Sequence, residues 1–398
     1  MGVPMSVPEL DLTDPDVARD PVAAYQRLRE RGPVARLAAP GLPAPWALTR
    51  YRECRAMLGD PRFELSPASF AMRPTDLPEE LLPYLRTMQE TEGAEHLRLR
   101  RLAAPAFTAR RATGLRPRVQ RIVDRLLDAL PEHAEDGAVD LSAHFTRPLP
   151  MEVICELVGI PEADRPRWRE YGAAVATGSG PALVAAIPGV IADARAAVAH
   201  RTAEPGEDLL SELVRIRDED GDRLGEVELV ALVWQLVLAG QTPANLIANA
   251  VGTLFEHPDA LAALRTGPEL LPRAVEESLR WCGPQLLAIP RFAREDVEVA
   301  GAELRAGEMV VAVLSSANRD PRAFADPERF DIAREPTPGH LGFAHGPHFC
   351  LGASLARVQT EVALGSLLRR YPALAPVRVP ERQPDPGTWR LPELTATL

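Results

Sequence analysis

The chain has 398 residues, of which 46% are hydrophobic and 25% charged, and this globular balance excludes wholesale disorder. Its 45 basic and 56 acidic residues give a formal net charge of −11, which argues against a general binder of nucleic acid or of anionic membranes. No Ser/Gly linker or block of like charges divides the sequence, so we expect one domain over residues 1–398.

Apolar residues spaced three and four apart predict helices along most of the chain, at 21–31, 116–130, 184–200, 226–257, 269–281 and 351–370. Short strands are predicted at 46–49, 286–292, 297–299 and 309–314. Two stretches rich in small or turn-forming residues, 66–93 and 172–189, are predicted to be long surface loops. The expected fold class is mainly α with a small β region late in the chain (α+β).

The four cysteines are far apart in sequence and include no Cys-x-x-Cys pair: Cys54, Cys155, Cys282 and Cys350. This spacing disfavours a disulfide framework and a four-thiolate zinc site, and it favours a reducing cytoplasm. The first residues show no cationic segment followed by an apolar run, so we expect no signal peptide. The most apolar stretch, 229–239, is too short to span a bilayer, and we expect a cytoplasmic protein that binds no membrane.

The strongest local signal is the segment 342–353, in which glycines and a proline form a tight loop that ends at Cys350. An amphipathic helix begins directly behind it. A thiolate at a helix N-terminus is stabilised by backbone N–H groups and by the helix dipole, which suits a nucleophile or a metal ligand. From these residues alone, a loop cysteine without a role stays open, and so does a zinc site of His345, His348 and Cys350 that lacks a fourth ligand.

The pattern Phe343-x-x-Gly346-x-x-x-Cys350-x-Gly352 resembles the haem-binding loop of the cytochrome P450 family. In that family the cysteine thiolate is the axial ligand of the haem iron. The resemblance implies the cytochrome P450 fold, with haem b between the long central helix and the helix that follows the cysteine loop. It covers essentially the whole chain and is closest to the soluble bacterial branch.

Three further motifs in the family's order make the resemblance specific. The segment 96–102 resembles the helix that reaches the haem propionates. Glu277 and Arg280 lie three residues apart on a predicted helix and therefore share a face, where they can form an ion pair. Arg329, in the Pro-Glu-Arg-Phe segment 327–330, matches the arginine that completes the family's Glu-Arg-Arg core.

Haem propionates are carboxylates that need charge-assisted donors when they are partly buried. The resemblance assigns this role to His96, Arg100, Arg291 and His348. From the residues alone, each of these is as well explained by a solvated surface arginine or a capped core histidine.

The helix 226–257 is expected to cross the haem face opposite the cysteine. The family carries an acid followed by a threonine there, whereas this chain reads Gln241-Thr242-Pro243. One register places Pro243 at the threonine position. We prefer the other, with Thr242 as the threonine and Gln241 at the acid position, because the spacing from Thr242 to Glu277 resembles the family's. Gln241 cannot ionise, so the acid half of the usual proton relay is missing.

Pro243 has no N–H to donate to the carbonyl of Ala239, so the helix is predicted to kink there. Such a kink opens a groove for O2 and water beside the hydroxyl of Thr242, and a simple packing bend is the alternative. The hydrophobic substrate pocket is predicted to be covered by the loop 66–93. The side chains predicted to line it are Trp234, Val237, Leu238, Leu286, Leu287 and Ile289.

The resemblance implies a monooxygenase that inserts one oxygen atom of O2 into a hydrophobic small molecule by hydroxylation or epoxidation. No flavin or iron–sulfur cysteine pattern is present, so a separate ferredoxin and ferredoxin reductase are expected to supply the electrons. The protein is expected to be a monomer. The ferredoxin is expected to dock on the cysteine side, at a group of arginines: Arg100, Arg101, Arg110, Arg111 and Arg357.

The chain contains no lysine, and this Arg-only, Pro-rich composition is typical of actinobacteria. Such enzymes commonly tailor secondary metabolites such as polyketides, macrolides, terpenes or peptides. Two alternatives stay open: a haem-thiolate enzyme of another reaction type (oxidative coupling or a peroxide-driven reaction), and a non-enzymatic haem or zinc protein.

Overall fold

The computed structural model describes residues 7–38, 44–70, 77–176, 180–216, 221–335 and 337–398. Backbone contacts divide the chain into two compact units, each built from separate stretches of sequence. The first unit comprises Met1–Ser69, Asn245–Cys350 and Pro372–Thr397, and the second comprises Phe70–Ala244 and Leu351–Tyr371 together with Leu398. The single domain expected over 1–398 stays a prediction.

Helices make up most of the described structure, which confirms the mainly α class. In chain order they are α1 Pro15–Arg19, α2 Pro21–Arg31, α3 Tyr51–Gly59, α4 Leu82–Leu85, α5 Gly93–Ala103, α6 Ala109–Ala129, α7 Pro148–Val158, α8 Arg165–Ala176, α9 Pro181–Ala203, α10 Leu209–Arg215, α11 Glu226–Ala239, α12 Gln241–Glu256, α13 Pro258–Thr266, α14 Leu271–Trp281, α15 Leu314–Ala317 and α16 Ala353–Arg370.

The strands are short and lie mostly in the first unit. In chain order they are β1 Glu9–Asp11, β2 Val34–Ala38, β3 Trp46–Leu48, β4 Phe63–Glu64, β5 Ala138–Asp140, β6 Arg291–Ala293, β7 Val297–Val299, β8 Ala302–Leu304, β9 Met309–Ala312, β10 Ala375–Pro376 and β11 Thr395–Thr397. Six of them form a mixed sheet in the order β1-β2-β3-β9-β6-β4. Only the β1–β2 and β3–β9 pairs are parallel, and Trp46 lies opposite Val310 in the latter.

The core of the first unit lies on this sheet. Buried apolar residues from β3 and β9, such as Leu48 and Val310, pack with Leu58 of α3. A second cluster contains Tyr25 of α2 together with Trp389. The β7–β8 hairpin turns at Ala300 and Gly301, and both residues adopt positive φ.

The second unit is a helical assembly. Its most extensive contacts join α16 to α6, and α11 packs against α4, α7, α8 and α9. The buried residues of α6 include Val119, Ile122, Val123 and Leu127, which repeat every three or four positions and form one apolar face. α6 is longer than the predicted 116–130 because Thr108 caps an earlier start, where its hydroxyl accepts the N–H of Arg111.

The loop predicted over 172–189 is wrong in large part, because Gly172 lies in α8 and Gly189 lies in α9. Both glycines are packing positions. A Cβ at Gly172 would lie 2.7 Å from Cε of Met151, and one at Gly189 would lie 2.7 Å from the hydroxyl oxygen of Tyr171. Residues 177–179, between these helices, lie outside the described part of the chain. Small residues here allow close helix packing rather than a loop.

Two further predictions hold only in part. The predicted loop 66–93 contains α4 and short helical turns, and its residues 71–76 are not described. The predicted strand 286–292 reduces to β6 at its end, preceded by an isolated bridge between Leu287 and Val313.

Among the described residues, length and mean hydropathy alone would allow two helical stretches to cross a membrane, α9 and Glu226–Glu256. The second includes the stretch 229–239 and is therefore longer than the sequence prediction allowed. More than half of its most apolar part is buried inside the protein, as in a core helix. One or two such stretches are weak evidence for a membrane span, because core helices pass the same test.

Candidate functional site

A glycine at a tight turn and several hydrogen bonds hold the cysteine loop of the first unit in shape. Gly346 has φ +78°, and a Cβ there would lie 2.5 Å from the carbonyl oxygen of Leu58, so the turn and its contact with α3 both require glycine. The N–H of Cys350 donates to the carbonyl of Phe343 at 3.0 Å. Phe343 is buried, whereas Cys350 is exposed.

The other three cysteines contrast with Cys350, because all of them are buried. Burial raises the pKa of the Cys155 thiol to about 12 and that of the Cys282 thiol to about 11, and it raises the pKa of the Cys54 thiol as well. These thiols are therefore neutral near pH 7 and shielded from ligands. Cys350 is the accessible cysteine sulfur of the chain.

The zinc alternative finds no support in the geometry. Within the described residues, no group of three or more His, Cys, Asp and Glu side chains is arranged to hold a metal ion. His345, His348 and Cys350 therefore do not form the site that the zinc alternative requires. Burial and the neighbouring Arg55 lower the pKa of His345.

Glu277 and Arg280 of α14 form the predicted ion pair, and both side chains are buried. Arg280 Nε donates to Glu277 Oε2 and its Nη2 donates to Oε1, each at 2.7 Å. The remaining guanidinium donors reach the backbone carbonyls of Asn318, Pro327 and Arg329. The pair therefore fixes the backbone of the segment that precedes the cysteine loop. Positioning this segment explains the pair better than a net gain in folding stability does, because burying two charges costs much of the energy that their attraction supplies.

The third arginine of this network is Arg334, and the prediction of Arg329 is wrong. Arg334 Nε lies 3.2 Å from Glu277 Oε2, and its side chain is 16% exposed. The side chain of Arg329 is 70% exposed, and its Nη2 lies 4.0 Å from Asp331 Oδ2. Only the backbone carbonyl of Arg329 joins the network, because the turn points its side chain outward.

The residues predicted to bind propionates lie in pairs, one pair in each unit. In the first unit, Arg291 on β6 is buried, with Nη1 3.5 Å from the carbonyl of Met57, and His348 is half-buried in the turn before Cys350. In the second unit, His96 and Arg100 lie four residues apart on α5 and share a face.

The chemistry of this donor set fits a haem. An exposed cysteine suits the iron, and buried or half-buried N–H donors of arginine and histidine suit carboxylates.

The long central helix is interrupted at Gly240, between α11 and α12. The N–H of Gly240 is shared between the carbonyls of Leu236 (3.1 Å) and Val237 (3.3 Å). The break lies next to Ala239, whose carbonyl loses its helical donor because Pro243 has no N–H. A Cβ at Gly240 would lie 2.8 Å from Cδ1 of Ile154, so glycine also lets α11 approach α7 closely.

Thr242 is half-buried, one turn after the exposed Ala239. The side chain of Gln241 lies outside the described part of the structure. The preferred register, with Thr242 and Gln241 at the threonine and acid positions, stays a prediction.

Three of the predicted pocket residues are buried against protein: Trp234, Val237 and Leu286. Side chains this inaccessible do not line an open pocket, so the prediction is wrong for them. Leu238 and Leu287 are half-buried, and Ile289 is 36% exposed, so their assignment to the pocket stays a prediction.

Sequence reasoning missed a polar group on α11. The amide oxygen of Gln235 is buried, with no hydrogen-bond partner among the described residues. Gln235 lies one turn before Ala239, on the same side of α11, and Thr242 follows the break at the start of α12. Its only sequence signal is a polar residue inside an apolar run.

Comparison with known proteins agrees with this geometry. A family model described as cytochrome P450 matches residues 268–395. The chain is 44% identical over 381 residues to the cytochrome P450 monooxygenase PikC of Streptomyces venezuelae, covering 94% of this chain and 90% of that protein. It is 42% identical over 364 residues to the mycinamicin IV hydroxylase/epoxidase of Micromonospora griseorubida, covering 90% of each.

The fold agrees as well. The ligand-free P450 monooxygenase TamI superposes with a TM-score of 0.88 at 34% identity, covering 98% of this chain and 94% of that one. The shared family implies a haem iron with a cysteine thiolate as its axial ligand and the activity of a monooxygenase. The chain therefore belongs to the cytochrome P450 family.

Proposed function

We propose that this protein inserts one oxygen atom of O2 into a hydrophobic secondary metabolite, by hydroxylation or epoxidation, as a tailoring step on a macrolide or related polyketide. The observation that carries the proposal is the 44% identity to PikC over nearly the whole chain. The name of the second relative, a hydroxylase/epoxidase of mycinamicin IV, supports both reaction types and a macrolide-sized substrate.

Cys350 is the proposed iron ligand. Its sulfur is exposed, and α16 begins three residues later, so the N–H groups of the first helical turn stabilise a thiolate there. When bound, the haem supplies the activation of O2 and the transfer of one oxygen atom.

The remaining site residues bind carboxylates or move protons. Arg291 and His348 in the first unit, and His96 and Arg100 in the second, are proposed to donate to haem propionates. Thr242 is proposed to hold and pass a proton at Oγ1. Since Gln241 cannot ionise, water or a substrate hydroxyl takes the place of the missing acid.

The pocket is proposed to be mainly apolar, with contributions from Leu238, Leu287 and Ile289. A substrate that also carries a hydrogen-bond donor fits Gln235, whose buried amide oxygen otherwise has no partner among the described residues. This combination of apolar and polar groups suits an oxygenated polyketide better than a plain hydrocarbon.

Bacterial relatives generally receive electrons from redox partners, and a ferredoxin with its reductase is proposed here. The arginines proposed to bind the ferredoxin all belong to the second unit. Arg101 and Arg110 are exposed, and Arg100 and Arg357 are half-buried. Arg111 is a weaker candidate, because Glu212 lies 2.6 Å from its Nη2 and neutralises it. The protein is proposed to act as a cytoplasmic monomer that binds neither nucleic acid nor membrane.

Substrate turnover by the purified holoprotein tests the proposed reaction and substrate class. The purified holoprotein is mixed with a bacterial ferredoxin, its reductase, NADPH and O2, and a panel of macrolides, linear polyketides, terpenes and peptides is screened by mass spectrometry. The expected result is a product heavier by one oxygen atom from a macrolide or polyketide, with the oxygen derived from O2. Turnover confined to terpenes or peptides would contradict the substrate class.

The interruption at Gly240 and the non-ionisable Gln241 favour one alternative, a peroxide-driven or coupling reaction, because both alter the usual route of protons. The same panel with hydrogen peroxide in place of the ferredoxin, reductase and NADPH distinguishes it. Turnover with peroxide and none with the ferredoxin, reductase, NADPH and O2 would replace the O2-dependent proposal.

A further inference from the structure

The entry to the cysteine loop carries an imidazole with two hydrogen bonds. His340 lies ten residues before Cys350, and only 7% of its side chain is exposed. Its Nδ1 accepts the N–H of Gly342 at 3.0 Å. Because Nδ1 accepts, the proton of the neutral ring lies on Nε2, which donates to Glu276 Oε2 at 3.2 Å. The two contacts fix the tautomer and the orientation of the ring.

The loop backbone passes through a narrow space beside this ring. A Cβ at Gly342 would lie 3.0 Å from His340 Nδ1 and 3.1 Å from the carbonyl oxygen of Leu279, in α14. The backbone of Gly342 is therefore confined between the imidazole and the end of α14. If the ring of His340 is displaced, the backbone of Gly342 keeps only its contact with the end of α14.

A second side chain holds the preceding residue. Asn318 is buried, and its Oδ1 accepts the N–H of Leu341 at 2.7 Å. The backbone carbonyl of Asn318 accepts Arg280 Nη1 at 3.0 Å. The successive N–H groups of Leu341 and Gly342 are thus bound by the side chains of Asn318 and His340. Asn318 also belongs to the Glu277–Arg280 network, through its backbone carbonyl.

The next residue transmits this constraint to the cysteine. The carbonyl of Phe343 accepts the N–H of Cys350, so Gly342, which His340 anchors, directly precedes the residue whose carbonyl closes the loop. The ring of Phe343 also lies 5.9 Å from that of His340, measured between centroids. We propose that His340 is a positioning residue for the Cys350 thiolate, with Asn318 as the second anchor. This inference rests on the proposed role of Cys350 as the iron ligand.

Three substitutions of His340 separate its two contacts. His340→Asn keeps an acceptor near the position of Nδ1, and His340→Gln keeps a donor near that of Nε2. His340→Leu removes both. The matched control is Glu335→Gln, which removes an exposed partner of Arg273 on α14 and leaves the loop contacts intact.

The holoproteins are compared by the carbon monoxide spectrum of the reduced haem, by the reduction potential and by thermal unfolding. Thiolate ligation gives a red-shifted band, so the ratio of this band to the unshifted one reports whether the sulfur stays on the iron. A hydrogen bond of ordinary strength changes that ratio about three- to tenfold. His340→Gln and His340→Leu are expected to lower the ratio by this factor and to raise the potential, while His340→Asn and Glu335→Gln match the wild type.

Asn318 provides an independent comparison if His340→Leu fails to fold. Asn318→Asp keeps the oxygen that accepts from Leu341 and is expected to retain the ratio, whereas Asn318→Ala is expected to lower it. Unchanged spectra and potentials in His340→Gln and Asn318→Ala would overturn the inference, and so would an equal loss in His340→Asn and His340→Leu. A wild-type holoprotein without the red-shifted band would instead overturn the role of Cys350, and that of His340 with it.

Discussion

The cysteine loop and the α11–α12 junction are built in opposite ways. Around the loop, side chains bind backbone groups directly: Asn318 holds Leu341, His340 holds Gly342, and Arg280 holds three carbonyls. Around Gly240, the distinctive feature is a helical hydrogen bond that Pro243 cannot donate. One region is defined by the contacts it makes and the other by a contact it lacks.

This difference bears on what each region does. A metal ligand has to keep its position, and a dense set of hydrogen bonds to a loop serves that purpose. A region that exchanges water and protons benefits from backbone groups that are not locked in a helix. We therefore expect substitutions around the loop to cost more stability than substitutions at the junction.

The largest effect is expected in the buried ion pair of α14. Glu277→Gln leaves Arg280 and Arg334 without their counter-charge, which costs about 3–5 kcal/mol of unfolding free energy. Arg329→Gln is the matched control, because its exposed guanidinium makes no close ion pair, and a change under about 0.5 kcal/mol is expected. Urea unfolding of both variants measures the difference, and a larger loss for Arg329→Gln would contradict the network described above.

The loop turn is expected to rank second. Gly346→Ala requires an alanine at φ +78° with its Cβ 2.5 Å from a backbone oxygen, so we expect a loss of about 2–4 kcal/mol and poor haem retention. Gly339→Ala, where a Cβ meets no heavy atom within 4 Å, is the control. Thermal unfolding and the haem-to-protein absorbance ratio check both variants. Equal behaviour of the two would show that the turn is not constrained.

A smaller loss is expected at the helix junction. Gly240→Ala places a Cβ 2.8 Å from the flexible end of Ile154, a contact that costs about 1–3 kcal/mol. Gly114→Ala, at an open position inside α6, should change stability in the opposite direction by about 0.5–1 kcal/mol. Denaturant midpoints distinguish the two signs. A stabilised Gly240→Ala variant would mean that α11 and α7 are packed less closely than described.

The smallest effect is expected at Ala344, which has φ +59° in the cysteine loop. A non-glycine residue in this conformation is strained, so Ala344→Gly should stabilise the protein by up to about 1 kcal/mol. Calorimetry of the holoprotein checks this value. A clear destabilisation would show that the alanine methyl group packs well enough to outweigh the strain.

Some of these features can be predicted from residue spacing in the sequence, and others depend on side-chain directions that spacing does not reveal. Glu277 and Arg280 are predictable because three-residue spacing on a helix brings them to one face, and the cysteine loop is predictable from its glycines and its single cysteine. The choice between Arg329 and Arg334 depends on which way a turn directs each side chain, and helical or strand periodicity carries no such information.

The same limit explains the other misses. Gly172 and Gly189 have the composition of a loop but serve as contact points between helices. Trp234, Val237 and Leu286 are apolar, as pocket residues are, but so are core residues, and only packing separates the two classes. His340 and Asn318 act through backbone groups, which leave no pattern in the sequence.

The central claim is that the sulfur of Cys350 binds the haem iron, and the reduced carbon monoxide spectrum of Cys350→Ser beside that of the wild type tests it most directly. The wild type is expected to show the red-shifted band of thiolate ligation and the variant to lose it completely, along with O2-dependent turnover. A variant that retains the band would contradict the account, because the remaining cysteines are buried.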